Sequence, residues 1–174
     1  MIKNLILLTG QDSFRLQERV KFYREAFQKK YPEGEVEYFE ISDTVSTLEN
    51  TVFTPNLFGG KRLVFLDHFW DPEKFEQAQK SKFFDHLPDF EESSTIICIE
   101  PTLDKRKKYS KFLSDQAKSE IFDPLEKNEV VEWMIKYAKK NKGTLKQSEA
   151  LFLLDRCGLI DWSQVKPDFR TKKI

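Results

Sequence analysis

Thr9, Gly10, Gln11, Asp12, Ser13 and Phe14 follow a short apolar run and open a helix-like segment, the place where a chain can cradle a phosphate. That chemistry needs Gly, four spacer residues, then Gly-Lys and a hydroxyl residue. Small residues let backbone amides wrap the phosphate, and the lysine neutralises it. Here Gly10 is present, but the second glycine, the lysine and the hydroxyl are missing. Phe14 and Arg15 are bulky where the loop must be tight. Nucleotide binding, and any cofactor that depends on it, is not expected.

Other residues capable of chemistry are scattered. Asp67 ends an apolar run, where an NTPase would place a magnesium-holding carboxylate, but His68 follows it instead of a water-positioning glutamate. Asp67 therefore reads as a strand-end turn residue. His68, His86, Cys98 and Cys157 lack metal-ligand spacing, so no metal is expected. Glu91 and Glu92 read as a solvated turn. No nucleophile–base set is legible, and no intrinsic catalysis is expected.

Two features suggest binding. Pro55 and Asn56 signal a turn, Leu57 and Phe58 follow it, and Gly59 and Gly60 end it. Leu57 and Phe58 belong to no amphipathic pattern, and at a loop tip they offer apolar surface to a partner. The competing reading buries Phe58 in the core. The second feature is basic. Lys105, Arg106, Lys107, Lys108 and Lys111 can neutralise a nucleic-acid backbone. They also fit a solvated helix face opposite Tyr109, Phe112 and Leu113.

With 29 basic and 29 acidic residues, net charge selects no class of partner, and only local clusters can. The 174 residues suffice for one medium domain and a small appendage. Sixteen phenylalanines supply core area that Val and Ile would otherwise provide. Two cysteines and an N-terminal apolar run of four residues predict a reducing cytoplasm, without membrane span or signal segment.

The elements that must position these residues alternate. Strands are predicted at Leu5–Leu8, Val36–Ile41, Leu63–Leu66, Thr95–Ile99 and Glu120–Phe122. Between them lie a helix capped by Asp12 with Leu16, Val20, Tyr23 and Phe27 on one face, and a short helix capped by Ser42 or Asp43. A longer helix is predicted within 68–90, ended by Pro88, and then a basic helix capped by Asp104. This order predicts an α/β fold: a mostly parallel sheet with helices on both faces. Strands stop at Asp123-Pro124. Two helices follow, one with Val130, Val131, Met134, Ile135 and Ala138 on a face, the other from about Gln147 to Arg156. Residues 159–174 show no periodicity.

Four motifs stand in one order over about residues 3–158: Leu8 to Phe14; Leu57-Phe58-Gly59-Gly60-Lys61-Arg62-Leu63-Val64; Pro101 to Lys108; and Phe122-Asp123-Pro124-Leu125 ahead of Trp133-Met134-Ile135. This order resembles the delta subunit of the bacterial DNA polymerase III clamp loader. The resemblance implies a degenerate AAA+-like, P-loop-NTPase-like domain over 1–124, without nucleotide binding. It also implies a partial helical lid over 125–158 and an irregular tail over 159–174. It implies that Leu57 and Phe58, flanked by Asn56 and Gly59, enter a hydrophobic pocket on the sliding clamp (the beta subunit) and help open the ring during DNA replication. The family's third lid helix and collar domain do not follow Gly158, so assembly with other clamp-loader subunits requires a collar from elsewhere. The alternative is a degenerate AAA+-like module that binds DNA backbone through Lys105 to Lys111.

Overall fold

The computed structural model describes residues 1–54, 60–90 and 92–157. Its first compact unit is Met1–Phe122, and a second begins at Asp123.

Five strands form the sheet of the first unit: β1 (Leu5–Thr9), β2 (Glu35–Phe39), β3 (Arg62–Asp67), β4 (Ser94–Ile99) and β5 (Lys118–Ile121). Their order is β2-β3-β4-β1-β5, and every neighbouring pair is parallel. The three inner strands are apolar at nearly every position because both faces of a parallel sheet are covered. Successive side chains serve opposite cores. Leu5, Leu7, Val64, Leu66, Ile96 and Cys98 face one core. Ile6, Leu8, Leu63, Phe65, Ile97 and Ile99 face the other.

The second of these cores is covered by α1 (Ser13–Lys30) through Leu16, Val20, Tyr23 and Phe27. Asp12 caps this helix, its Oδ1 accepting from the Arg15 amide at 2.9 Å. The first core lies under α2 (Val45–Phe53), α3 (Pro72–Lys80), α4 (Phe83–His86) and α5 (Lys108–Gln116). Its centre is aromatic: Trp70 lies 4.9 Å from Phe69 and 5.3 Å from Phe84, and Phe84 lies 4.4 Å from Phe112.

Several expected boundaries shift. Thr44 caps α2, its hydroxyl accepting from the Thr47 amide at 3.2 Å, while the Asp43 carboxylate closes a turn on the Glu40 amide. The single helix expected within 68–90 is broken at Lys82, whose φ is 60°, and Pro88 lies inside a 3-10 turn, Leu87–Phe90. Asp104 does not cap α5. It binds Arg106, and Lys107 occupies the cap position.

In the second unit α6 (Lys127–Lys140) packs on α7 (Gln147–Arg156). Glu129 accepts from the Glu126 amide at 2.8 Å and closes the first turn of α6. Val130, Val131, Ala150 and Leu154 are buried, whereas Leu151, Phe152 and Leu153 are exposed.

Candidate binding site

Asn56, Leu57, Phe58 and Gly59, the residues expected to meet a partner, lie outside the described residues. The segment leaves from Thr54, the residue after α2, and rejoins at Gly60, two residues before β3. In a parallel sheet all strands start at one end, so both flanks lie at the N-terminal edge, opposite the loop that follows β1.

Each flank is anchored. Val52 is buried, and Phe53 packs against Phe90 at 4.9 Å and Phe83 at 5.3 Å. On the other side the Lys61 carbonyl accepts from the Glu35 amide at 3.0 Å, and the Arg62 amide donates to the Ser93 carbonyl at 2.8 Å. The Arg62 guanidinium joins the two sides. It donates to the Thr51 carbonyl, to the Thr54 carbonyl at 3.2 Å, and to Glu35 Oε2 from Nη2 at 2.9 Å and from Nε at 3.2 Å. Its side chain is 12% exposed, against 46% for Glu35.

At the C-terminal edge the loop after β1 is closed by the protein itself. The Gly10 amide donates to the Pro101 carbonyl at 3.1 Å, and the Asp12 amide donates to the Phe122 carbonyl at 2.8 Å. These are amides a phosphate would need. The Asp12 carboxylate occupies the first turn of α1, where a phosphate would meet like charge. Asp67 Oδ1 binds His68 Nδ1 at 2.7 Å on an exposed turn. Burial pushes the Cys98 thiol up to about 12, as suits a packing residue. Among the described residues no group of three or more His, Cys, Asp or Glu could hold a metal ion.

The basic cluster is divided. Lys105, Arg106 and Lys107 precede α5, and only Lys108 and Lys111 lie on it. Arg106 forks onto Asp104, Nε to Oδ1 and Nη2 to Oδ2 both at 2.9 Å, and this bond lowers the Asp104 carboxyl to about 2. The Lys107 ammonium lies 5.6 Å from the centre of the Tyr109 ring. Lys105, Lys107, Lys108 and Lys111 are exposed.

Two residues escaped the sequence reading. Arg62 was legible only as part of a motif, although an arginine and a glutamate opening neighbouring strands is the signal that pairs it with Glu35. Glu100, directly after the apolar run of β4, is 4% exposed, and its Oε1 has no hydrogen-bond partner among the described residues. Burial raises its carboxyl to about 7. The charge of His68 opposes that rise, a backbone hydrogen bond from Trp70 and the charge of Lys107 do so more weakly, and Asp67 adds to it.

A strand–loop–helix opening on an all-parallel five-stranded sheet, with the loop after β1 tied to Pro101 and Phe122, makes this an α/β domain with helices on both faces. The family model for DNA polymerase III, delta subunit, matches residues 6–122. The chain belongs to that family. Among solved structures it is similar to the Bacillus subtilis DNA clamp loader delta protein YqeN, with TM-score 0.63 and 21% identity over 88% of this chain and 48% of that one. The chain thus spans about half the length of this relative. A looser likeness, to C. elegans PCH-2, has TM-score 0.43 and 14% identity over 98% of this chain and 46% of that one. No curated protein matches the chain by sequence. Among the described residues no helix is long and apolar enough to cross a membrane.

Proposed function

We propose that this chain is the clamp-binding portion of a delta-type clamp-loader subunit, in which Leu57 and Phe58 insert into a hydrophobic pocket of the sliding clamp and help open the ring during DNA replication. Asn56 and Gly59 shape the segment that presents them. The observation that carries this reading is the family match over residues 6–122, which includes the Leu57 to Gly60 motif. The anchored flanks at Thr54 and Arg62 support it, because they fix where the chain leaves α2 and where it joins β3. The chain acts by binding, without catalysis of its own. Residues 1–124 form its AAA+-like part and 125–158 part of a lid. Other loader subunits join only where a collar is supplied, and the setting is the bacterial cytoplasm.

Direct binding to a bacterial sliding clamp tests the proposal, comparing wild type with Leu57→Ala/Phe58→Ala. Binding that collapses while the melting temperature holds supports it. Undiminished binding by a folded double variant removes it.

The exposure of Lys105, Lys107, Lys108 and Lys111 favours a second reading, contact with DNA backbone. Its signature is affinity for DNA that falls steeply with salt and is lost when these four lysines become glutamines.

A further inference from the structure

Helix α2 ends without a basic residue in its last turn. The last carbonyls of a helix have no partner within it, and a cation there is favoured by the helix dipole. Arg62 supplies both from another element. Its guanidinium, presented by β3, takes the carbonyls of Thr51 and Thr54, and its remaining donors fork onto Glu35 at the start of β2. A planar fork with fixed donor directions makes several such bonds at once, which the point charge of lysine cannot do. The bond to Thr54 and the backbone of Arg62 lie on opposite sides of the segment that carries Leu57 and Phe58.

We propose that Arg62 is a positioning residue for the partner contact: it ties the end of α2 to the start of β3 and so sets the spacing and direction from which Leu57 and Phe58 are presented. This inference rests on the proposed function. A presenting frame held before binding spares the ordering that binding would otherwise require, so its loss weakens affinity without removing any contact with the partner.

Arg19 provides the control. It forks onto Glu120, Nε to Oε2 at 2.6 Å and Nη2 to Oε1 at 2.9 Å, joining α1 to β5 with no bond to the flanks of the 55–59 segment. The full chain is made as wild type, Arg62→Lys, Arg62→Met, Arg19→Met and Glu35→Gln, each with and without Leu57→Ala/Phe58→Ala. Affinity for a bacterial sliding clamp and melting temperature are measured together. Arg62→Met is expected to weaken clamp binding about tenfold beyond Arg19→Met, in the range of couplings between interacting groups. Arg62→Lys should recover only part of this. In the Leu57→Ala/Phe58→Ala background Arg62→Met should cause no further loss, because it acts through those two residues. If Arg62→Met does not fold, Glu35→Gln carries the test: it loosens the same fork and should weaken clamp binding more than Arg19→Met does.

Clamp affinity that follows stability alone, alike for Arg62→Met and Arg19→Met, overturns the inference. So does an equal loss from Arg62→Met in both backgrounds. If the double variant itself binds undiminished, the functional reading fails and the inference falls with it.

Discussion

Gly10 lies against the backbone of Phe122 so closely that a Cβ on Gly10 would sit 2.3 Å from the Phe122 carbonyl carbon and oxygen. Gly10 also has φ +123°, a conformation side chains rarely adopt. The obstacle is backbone rather than a flexible side chain, so it cannot swing away. Gly10→Ala is therefore expected to destabilise the domain by about 3 kcal/mol or more, strain and overlap combined. Urea titration checks this. A loss under about 1 kcal/mol would mean that the junction between β1 and the end of β5 is looser than described.

The same junction bears on nucleotide. With the amides of Gly10 and Asp12 donating to Pro101 and Phe122, a phosphate would have to displace bonds of the fold. Mg-ATP should produce no thermal shift and no calorimetric binding. A micromolar affinity, about −8 kcal/mol, would require groups the described residues do not offer.

Glu100 predicts a pH dependence. Its folded value near 7 lies above its ordinary 4.5, so the folded chain keeps a proton that the unfolded chain releases. Its contribution to stability is full below 4.5 and is lost as pH rises through about 7. The loss should be on the order of 3 kcal/mol. Denaturation at pH 5 and pH 8 should show wild type losing stability relative to Glu100→Gln. Parallel curves for the two proteins would refute the assignment.

Leu57 and Phe58 should dominate clamp binding, because a few apolar anchors carry most of an interface. Each truncation to Ala should cost about 2 kcal/mol, roughly thirtyfold in Kd, with the melting temperature nearly unchanged. A melting temperature that falls several degrees, with binding reduced only in proportion, would make the pair core residues.

The fold was legible where periodicity is strong. The runs of β1, β3 and β4 and the face of α1 recur where the sequence puts them, because burial on both sides of a sheet leaves continuous apolar stretches. Ile41, taken for the end of a strand, is exposed beyond β2, since an edge strand needs fewer apolar neighbours. The break at Lys82 was hidden because a lysine in a left-handed turn carries no glycine or proline signal. Asp104 resembles a cap in sequence, yet Arg106 is near enough to take its carboxylate. The proposed contact residues, Asn56 to Gly59, stand in the sequence as a motif and lie outside the described residues, whereas the supports of their flanks carry no such motif. The pairing of Arg62 with Thr51, Thr54 and Glu35, like the burial of Glu100, depends on strand register, which no local window contains.

The strand order has a consequence for synthesis on the ribosome. β1 emerges first, but its neighbours are β4 and β5: Ile6 pairs with Ile97 on one side and with Lys118 on the other. At bacterial rates of elongation the run from Leu5 to Leu8 waits roughly 5–20 s for its second partner. During that interval four consecutive apolar residues with open backbone groups are available to other nascent chains. A translation pause before β5 has left the ribosome prolongs this exposure, because until then the second edge of β1 has no strand to pair with.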